Sequence, residues 1–555
     1  MPGKNTVRVV MPSGEVAQVA PTETLADLLS SEPNPADNPI VAAVVNNEVL
    51  DLSRRIRINA SLQPVHLNSE AGVRCYRQSL CFVLSIAGRS VFPDRRLVIG
   101  HSLGDAYYYH FADGRDVTDG EVKQLDAEMR RLVEADVPIR RQLIAYEDAV
   151  RVFEEQGMLH TAALLYHRSA SRVAVHMCGD FVDLSHGPLL QRTGTLRYFE
   201  LRRLDPGVVL RYPSQKAPTE ISPYKHSDVL FSIYQEYKEW GKILSVSSVG
   251  SLNEKVLEGE ITDFIRVNEA LQEKKIGAIA DEIASRRDSV RIVLIAGPSS
   301  SGKTTFTKRL AIQLTVHGLQ PQLLSADNYF VNRDKTPRDE DGSLDFESIH
   351  ALDIELLNEH LLHLFDGREI QVPNFDFKSG SRRAGGEPLK LVDRSILLME
   401  GIHCLNDELT SRIPAERKHK IYISALTQLN LDEHNRIPTT DNRLVRRMVR
   451  DFQFRGHSAL DTLQMWPSVM RGERRNIFPF QDTADGAFNS ALDYELGVLK
   501  KHAEPLLMQV KPRHAVYDEA GRLLSFLSNF TNIADKLVPD YSIVREFIGD
   551  SRFRY

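Results

Sequence analysis

Ser289-Val290-Arg291-Ile292-Val293-Leu294-Ile295-Ala296 runs directly into Gly297-Pro298-Ser299-Ser300-Ser301-Gly302-Lys303-Thr304. The first stretch is the apolar run of a strand buried in a parallel sheet. The second fits G-x-x-x-x-G-K-[ST], and a helical pattern, Phe306–Val316, follows it. Glycines let such a loop curl until its N–H groups point at phosphate oxygens. The dipole of the next helix favours an anion at the same place. Lys303 then reaches the outer phosphates and the Thr304 hydroxyl is placed for Mg²⁺. The phosphate-binding set is Gly297, Ser299, Ser300, Ser301, Gly302, Lys303, Thr304 and Thr305, and the implied cofactors are ATP and Mg²⁺.

Further strand patterns at Gln322–Ser325, Ile396–Met399 and Lys420–Ile423 alternate with helical ones to about residue 510. That alternation predicts a doubly wound α/β domain over 286–555. Asp327 follows the strand after the crossover helix, which puts its carboxylate at the C-terminal sheet edge beside the loop. There it can take a proton from an attacking hydroxyl or help hold the metal. Glu400 ends the Ile396–Met399 strand before Gly401, an arrangement suited to Mg²⁺ through oxygen or water. Arg443, Arg446, Arg447 and Arg450, with Arg455 beyond, fall at helical spacings that align guanidinium groups on one face. Such forks suit transferring phosphates. Asp441 and Asp451 leave a second reading open, a salt-bridged surface helix.

The whole chain of 555 residues is too long for one ordinary domain. Hydrophobic residues at 42% and charged residues at 26% exclude disordered and low-complexity classes. A net charge of −6 gives nucleic-acid binding no support, and four scattered cysteines indicate neither a disulfide framework nor a zinc ribbon. No apolar run of about 18 residues is present, and the expected partner is a small-molecule acceptor rather than a membrane. The chain is read as cytoplasmic, with homo-oligomerisation left open. Residues 1–68 have the hairpin–helix–strand order of a β-grasp. Residues 69–210 mix helices and strands as an α+β unit, with a capping box at Thr118-Asp119-Gly120-Glu121 and a core stripe of Val122, Leu125, Met129, Leu132 and Val133. Residues 211–285 read as a helical connector, and 542–549 as a docking helix or strand without assigned chemistry.

Six stretches of the C-terminal half resemble, in order, the uridine kinase/phosphoribulokinase family of P-loop kinases. They are GPSSSGKTT (Gly297–Thr305), LLSADNYF (Leu323–Phe330), LDFESIHALD (Leu344–Asp353), VPNFDF (Val372–Phe377), LLMEGI (Leu397–Ile402) and RLVRRMVRDFQFRG (Arg443–Gly456). The resemblance implies an ATP-dependent nucleoside kinase with Asp327 as catalytic base and Thr304 and Glu400 serving Mg²⁺. It implies that Lys303, Arg450 and Arg455 act on the phosphates, and that Glu347, Phe375 and Arg447 bind the acceptor, Glu347 holding ribose hydroxyls. Where uridine kinases read the base with a Tyr and a His, this chain has Phe375 and Gly380, and a later Arg aligns with His457. Phe375 keeps a stacking surface without a hydrogen-bonding handle.

The N-terminal half resembles the TGS and editing region of threonyl-tRNA synthetases through its β-grasp order, IGHSLGDAYYYHF (Ile99–Phe111), the helix after Thr118 and FVDLSHGP (Phe181–Pro188). That family's editing centre is an HxxxH pair with a later Cys and His. Tyr76, Leu80, Ser185 and Leu189 stand at those positions, and leucine neither binds metal nor moves protons, so no active editing or zinc site is expected. His101, His110, His176 and His186 are read as structural. Two other functions stay open: an RNA- or ribosome-associated regulator using nucleotide as a switch, and a kinase of a non-nucleoside sugar or small alcohol.

Overall fold

A computed structural model describes residues 6–554 except 105, 225, 339–341, 343, 377, 378 and 384, with backbone alone at 237 and 242. Phe377 of the VPNFDF stretch therefore lies outside the described residues.

β1 (Val7–Val10) and β2 (Val16–Val19) pair antiparallel across a turn in which Gly14 takes a φ of 86°. α1 (Leu25–Leu28) starts at Thr24, whose hydroxyl and the Asp27 carboxylate cap each other's backbone amides. β3 (Ile40–Val45), β4 (Glu48–Leu50) and β5 (Ala60–His66) complete a sheet of order β2-β1-β5-β3-β4 with β1 and β5 parallel. Val9, Leu25 and Leu62 are buried beneath it.

α2 (Glu70–Val91) leads into β6 (Leu97–Ser102) and β7 (Ala106–Phe111). α3 (Asp119–Glu134) begins at the Thr118–Glu121 capping box and buries Val122, Leu125, Met129 and Leu132, with Val133 half-buried at the edge of the stripe. β8 (Arg140–Ala145), α4 (Tyr146–Glu155), α5 (Leu159–Tyr166), β9 (Arg172–Cys178), β10 (Phe181–Leu184), β11 (Glu200–Leu204) and β12 (Gly207–Arg211) follow. They form two antiparallel sheets, β10-β9-β8 and β11-β12-β7-β6.

α6 (Asp228–Leu244), α7 (Val249–Leu257) and α8 (Ile261–Ser285) link this unit to the next. Phe231 and Tyr234 of α6 pack edge-on against Tyr108, while Ile233 enters the core of the C-terminal sheet. Gly250 of α7 lies so close to α5 that a Cβ there would stand 2.8 Å from Ala163 Cβ. One continuous core runs from Phe153 and Leu164 through Val249 and Ile276 to Ile295 and Leu444, so the connector is interior packing rather than a spacer.

The C-terminal sheet contains β13 (Ile292–Ala296) at its centre, followed by α9 (Lys303–Val316) and β14 (Gln320–Ser325). After α10 (Ile354–Phe365) come short hairpin strands, β15 (Ile370–Val372) with β18 (Glu387–Leu389) and β16 (Phe375–Asp376) with β17 (Ser381–Arg382). β19 (Ser395–Glu400), β20 (Lys418–Ser424) and β21 (Gly486–Asn489) complete the parallel order β14-β19-β13-β20-β21. α11 (Thr439–Arg450), α12 (Ala459–Asn476), α13 (Glu495–Leu507), α14 (Tyr517–Leu527) and α15 (Arg545–Ile548) pack around it. Ser325 of β14 and Ile295 of β13 both register with Glu400 of β19, so three strands end together at one edge. Among the described residues no helix is long and apolar enough to cross a membrane.

Candidate active site at the sheet edge

The loop between β13 and α9 is held tight from beneath. A Cβ on Gly297 would fall 2.2 Å from the Ile423 carbonyl oxygen of β20, so only glycine permits that approach. Ser300 and Gly302 turn the chain with φ of 59° and 80°. The buried Ser300 and Ser301 hydroxyls have no hydrogen-bond partner, and the α9 N-terminus opens beside them. Lys303 Nζ folds back to the Gly297 and Pro298 carbonyls at 2.9 and 3.1 Å. This is a phosphate cradle whose lysine rests on its own loop.

Thr304 Oγ1 donates to Glu400 at 2.9 and 3.1 Å. Burial pushes the Glu400 carboxyl up to about 7, with Asp327 and Glu546 adding repulsion against the pull of Lys303. Such a hydroxyl–carboxylate pair is the oxygen donor set a hard divalent cation takes, so the residues fit Mg²⁺. Asp327 sits in the single 3₁₀ turn Ala326–Tyr329 after β14. Burial raises its pKa, while Lys303, Arg455 and Arg450 oppose the shift. Sequence position had placed Lys303, Thr304, Asp327 and Glu400 at one sheet edge, and the structure brings all four together.

α11 departs from both of its sequence readings, because it is neither a surface helix nor uniformly turned to phosphate. Arg443 and Arg446 are buried behind the loop. Arg443 Nε donates to the Ser299 carbonyl at 3.0 Å, and its Nη2 pairs with Glu473. Arg446 donates to Glu495, Ser490 and the Ser300 carbonyl. Both guanidiniums brace the backbone that cradles phosphate. Arg447, Arg450 and Arg455 instead gather on the buried carboxylate of Asp451, at 3.2, 2.8 and 3.7 Å. Desolvation within the site and the neighbouring Arg450 charge lower the pKa of Arg455, although its side chain stays half exposed. Arg447 also reaches Ser299 Oγ at 2.7 Å.

Near the loop, Glu347 Oε2 and Glu473 Oε2 are buried without partners. Burial and the Glu473 charge push Glu347 up to about 7. Gly472 makes room for it, since a Cβ there would lie 2.3 Å from Glu347 Cβ. Phe375 departs from its expected role as a stacking surface. It is 7% exposed and packs on Phe330 with ring centroids 5.5 Å apart. Gly380, at φ 69°, lies under the Arg333 side chain, which occupies the space a larger residue would need. His457 is exposed.

In the N-terminal half Tyr76 is buried and exchanges hydrogen bonds with the Tyr198 backbone, and Leu80 and Leu189 are core residues. His101 and His176 are buried, which depresses each to about 3. A loop of the C-terminal half lies against this region. Asp432 pairs with His186 at 2.7 Å and His434 with Asp183 at 3.1 Å. Glu433 accepts from the His160 and Thr161 amides at 2.6 and 2.9 Å and from Thr161 Oγ1 at 2.7 Å, capping α5. Sequence reasoning assigned no role to Glu433, Glu473, Glu495 or Glu546, whose partners are remote in the chain. Asp451 was visible only as one of two acids flanking the arginines.

Residues 292–495 match the family described as Phosphoribulokinase / Uridine kinase family. The N-terminal region matches threonine–tRNA ligases. That of Symbiobacterium thermophilum is 30% identical over 198 residues, covering 36% of this chain and 30% of the ligase. That of Desulforamulus reducens is 28% identical over 196 residues, covering 35% and 31%. The chain thus spans about a third of the length of these curated relatives. A solved structure described as a possible uridine kinase from Bacillus stearothermophilus covers 38% of this chain and all of its own, at 18% identity and a TM-score of 0.25, too low a score to bear on the fold. Both resemblances read from the sequence are matched, each on its own half of the chain.

Proposed function

We propose that this chain is an ATP- and Mg²⁺-dependent kinase that moves the γ-phosphoryl group to a hydroxyl of a small molecule, with a nucleoside-type ribose hydroxyl as acceptor. The observation that carries the reading is the convergence of the cradle, the Thr304–Glu400 pair and Asp327 at one sheet edge. The family match over 292–495 supports it.

The loop amides and Lys303 bind the triphosphate, Lys303 leaving its own carbonyls to do so. Thr304 and Glu400 would hold Mg²⁺, which when bound neutralises charge on the phosphate oxygens. Asp327 orients the acceptor hydroxyl and takes its proton as the oxygen attacks phosphorus. It must be ionised for that step, and the cations around it counter the burial that favours its neutral form. Arg450 and Arg455, steadied by Asp451, meet the charge on the transferring group and shield it from water. Glu347, with an unpaired buried oxygen, accepts from acceptor hydroxyls.

Asp327→Asn tests the assignment. Nucleotide affinity should hold while turnover falls roughly 10²–10⁴-fold, and near-wild-type turnover would refute it. A panel of nucleosides, sugars and simple alcohols fixes the acceptor. ATP hydrolysis independent of any acceptor, together with salt-sensitive tRNA binding, would replace the kinase reading with a regulatory one.

A further inference from the structure

The C-terminal tail straps the first two turns of α9. A Cβ on Gly302 would meet Ile543 Cγ2 at 2.6 Å. Three residues on, Glu546 Oε2 accepts from the Thr305 amide at 3.1 Å and from Thr305 Oγ1 at 2.7 Å. Further along the helix, Lys308 Nζ donates to the Arg554 carbonyl. The strap is firmly seated, with Ile543, Val544 and Phe547 fully buried. Phe547 lies under the Arg446 guanidinium at 4.9 Å.

Thr305 is the third residue of α9. Its amide belongs to the first turn, whose N–H groups have no partner within the helix. These are the donors that an N-terminal phosphate site presents to its ligand. Here one of them is already taken by an anion of the chain itself. A bound phosphate and the Glu546 carboxylate cannot share that donor, because both carry negative charge and the carboxylate already fills its approach.

We propose that Glu546 competes with the nucleotide for the Thr305 amide, so that the C-terminal strap sets the affinity of the phosphate cradle for its donor. The inference rests on the kinase reading above. Nucleotide enters by displacing the carboxylate, and removing the carboxylate removes the competition.

The test uses full-length protein titrated with a fluorescent ATP analogue in Mg²⁺, with thermal melts in parallel. Glu546→Gln should tighten binding about tenfold, equivalent to ~1.4 kcal/mol. It should also lower the ligand-free melting point and enlarge the nucleotide-induced rise. Glu546→Asp keeps the charge but draws it back from the amide, and should tighten binding to a lesser degree. Asp550→Asn removes a charge from the exposed part of the same tail and should leave affinity unchanged. Equal affinity in wild type, Glu546→Gln and Glu546→Asp overturns the proposal, as does equal tightening in Glu546→Gln and Asp550→Asn, which would reveal a general charge effect. Loss of binding in Lys303→Ala separates the two levels. If Lys303→Ala abolishes binding while the Glu546 variants match wild type, the competition fails and the kinase reading stands. If wild type and the Glu546 variants alike bind no nucleotide, both fall.

Discussion

Arg446→Met asks whether the arginines behind the loop are structural or catalytic. Arg446 is fully buried, and its guanidinium donates to Glu495 Oε2 at 2.9 and 2.5 Å. It also donates to Ser490 Oγ and O at 3.0 and 2.9 Å and to the Ser300 carbonyl at 3.3 Å. Methionine fills much of the volume but leaves Glu495, itself 1% exposed, as a buried carboxylate without its counter-charge. Breaking a buried pair from one side costs about 3–5 kcal/mol. At roughly 2–4 °C per kcal/mol for a domain of this size, the C-terminal transition should fall by about 6–20 °C. Burial already raises the Glu495 pKa, and Arg446 is the first group to oppose that rise. Without Arg446 the folded form holds a proton on Glu495 to higher pH than the unfolded chain does. The variant's deficit should therefore be largest at neutral and alkaline pH and shrink as pH falls towards the ordinary Glu range, where both folded forms hold that proton. Calorimetry across pH measures both the size and the slope. A variant that melts with wild type yet loses turnover would refute the bracing role and return Arg446 to the phosphates.

Glu400 predicts how the metal requirement follows pH. Its carboxyl is pushed up to about 7 in the metal-free protein and must ionise to accept a cation. The Mg²⁺ concentration for half-maximal turnover should rise as pH falls below about 7, approaching tenfold per unit. A half-saturation flat between about pH 5.5 and 8 would exclude Glu400 from the metal site. Glu433→Ala removes the cap of α5 and one of several ties between the two halves. It leaves two helix amides and the buried Thr161 hydroxyl unsatisfied, at a cost of roughly 2–4 kcal/mol. A lower melting point and faster proteolysis of α5 are the expected signs, and wild-type behaviour in both would show that water replaces the cap.

The convergence of the candidate site residues at one sheet edge was legible because each of them closes a local pattern. Lys303 and Thr304 end a glycine loop after a buried strand, Asp327 follows the strand after the crossover helix, and Glu400 ends an apolar run. Strand direction alone carries such residues to the same side of a parallel sheet. The β-grasp order and the Thr118 capping box were legible for the same reason, since turn and capping chemistry act within a few residues. Phe375 shows where that logic stops. Its aromatic ring was visible, but whether the ring faces a ligand or Phe330 depends on a neighbour 45 positions away.

What the sequence determined by itself, then, is the phosphate cradle, the strand ends that carry its carboxylates and the helix that carries its arginines. Only the tertiary structure decided how those charges are divided. Glu473 lies 174 residues from Ser299 and Glu546 lies 241 from Thr305, yet both accept from the loop or its helix. No local pattern encodes such pairings, because a charge taken out of water accepts whichever counter-charge or hydrogen-bond donor folding brings within reach. That rule turned Arg443 and Arg446 inward, left Arg447, Arg450 and Arg455 on Asp451, and set a carboxylate from the chain's end on the amide where phosphate would bind.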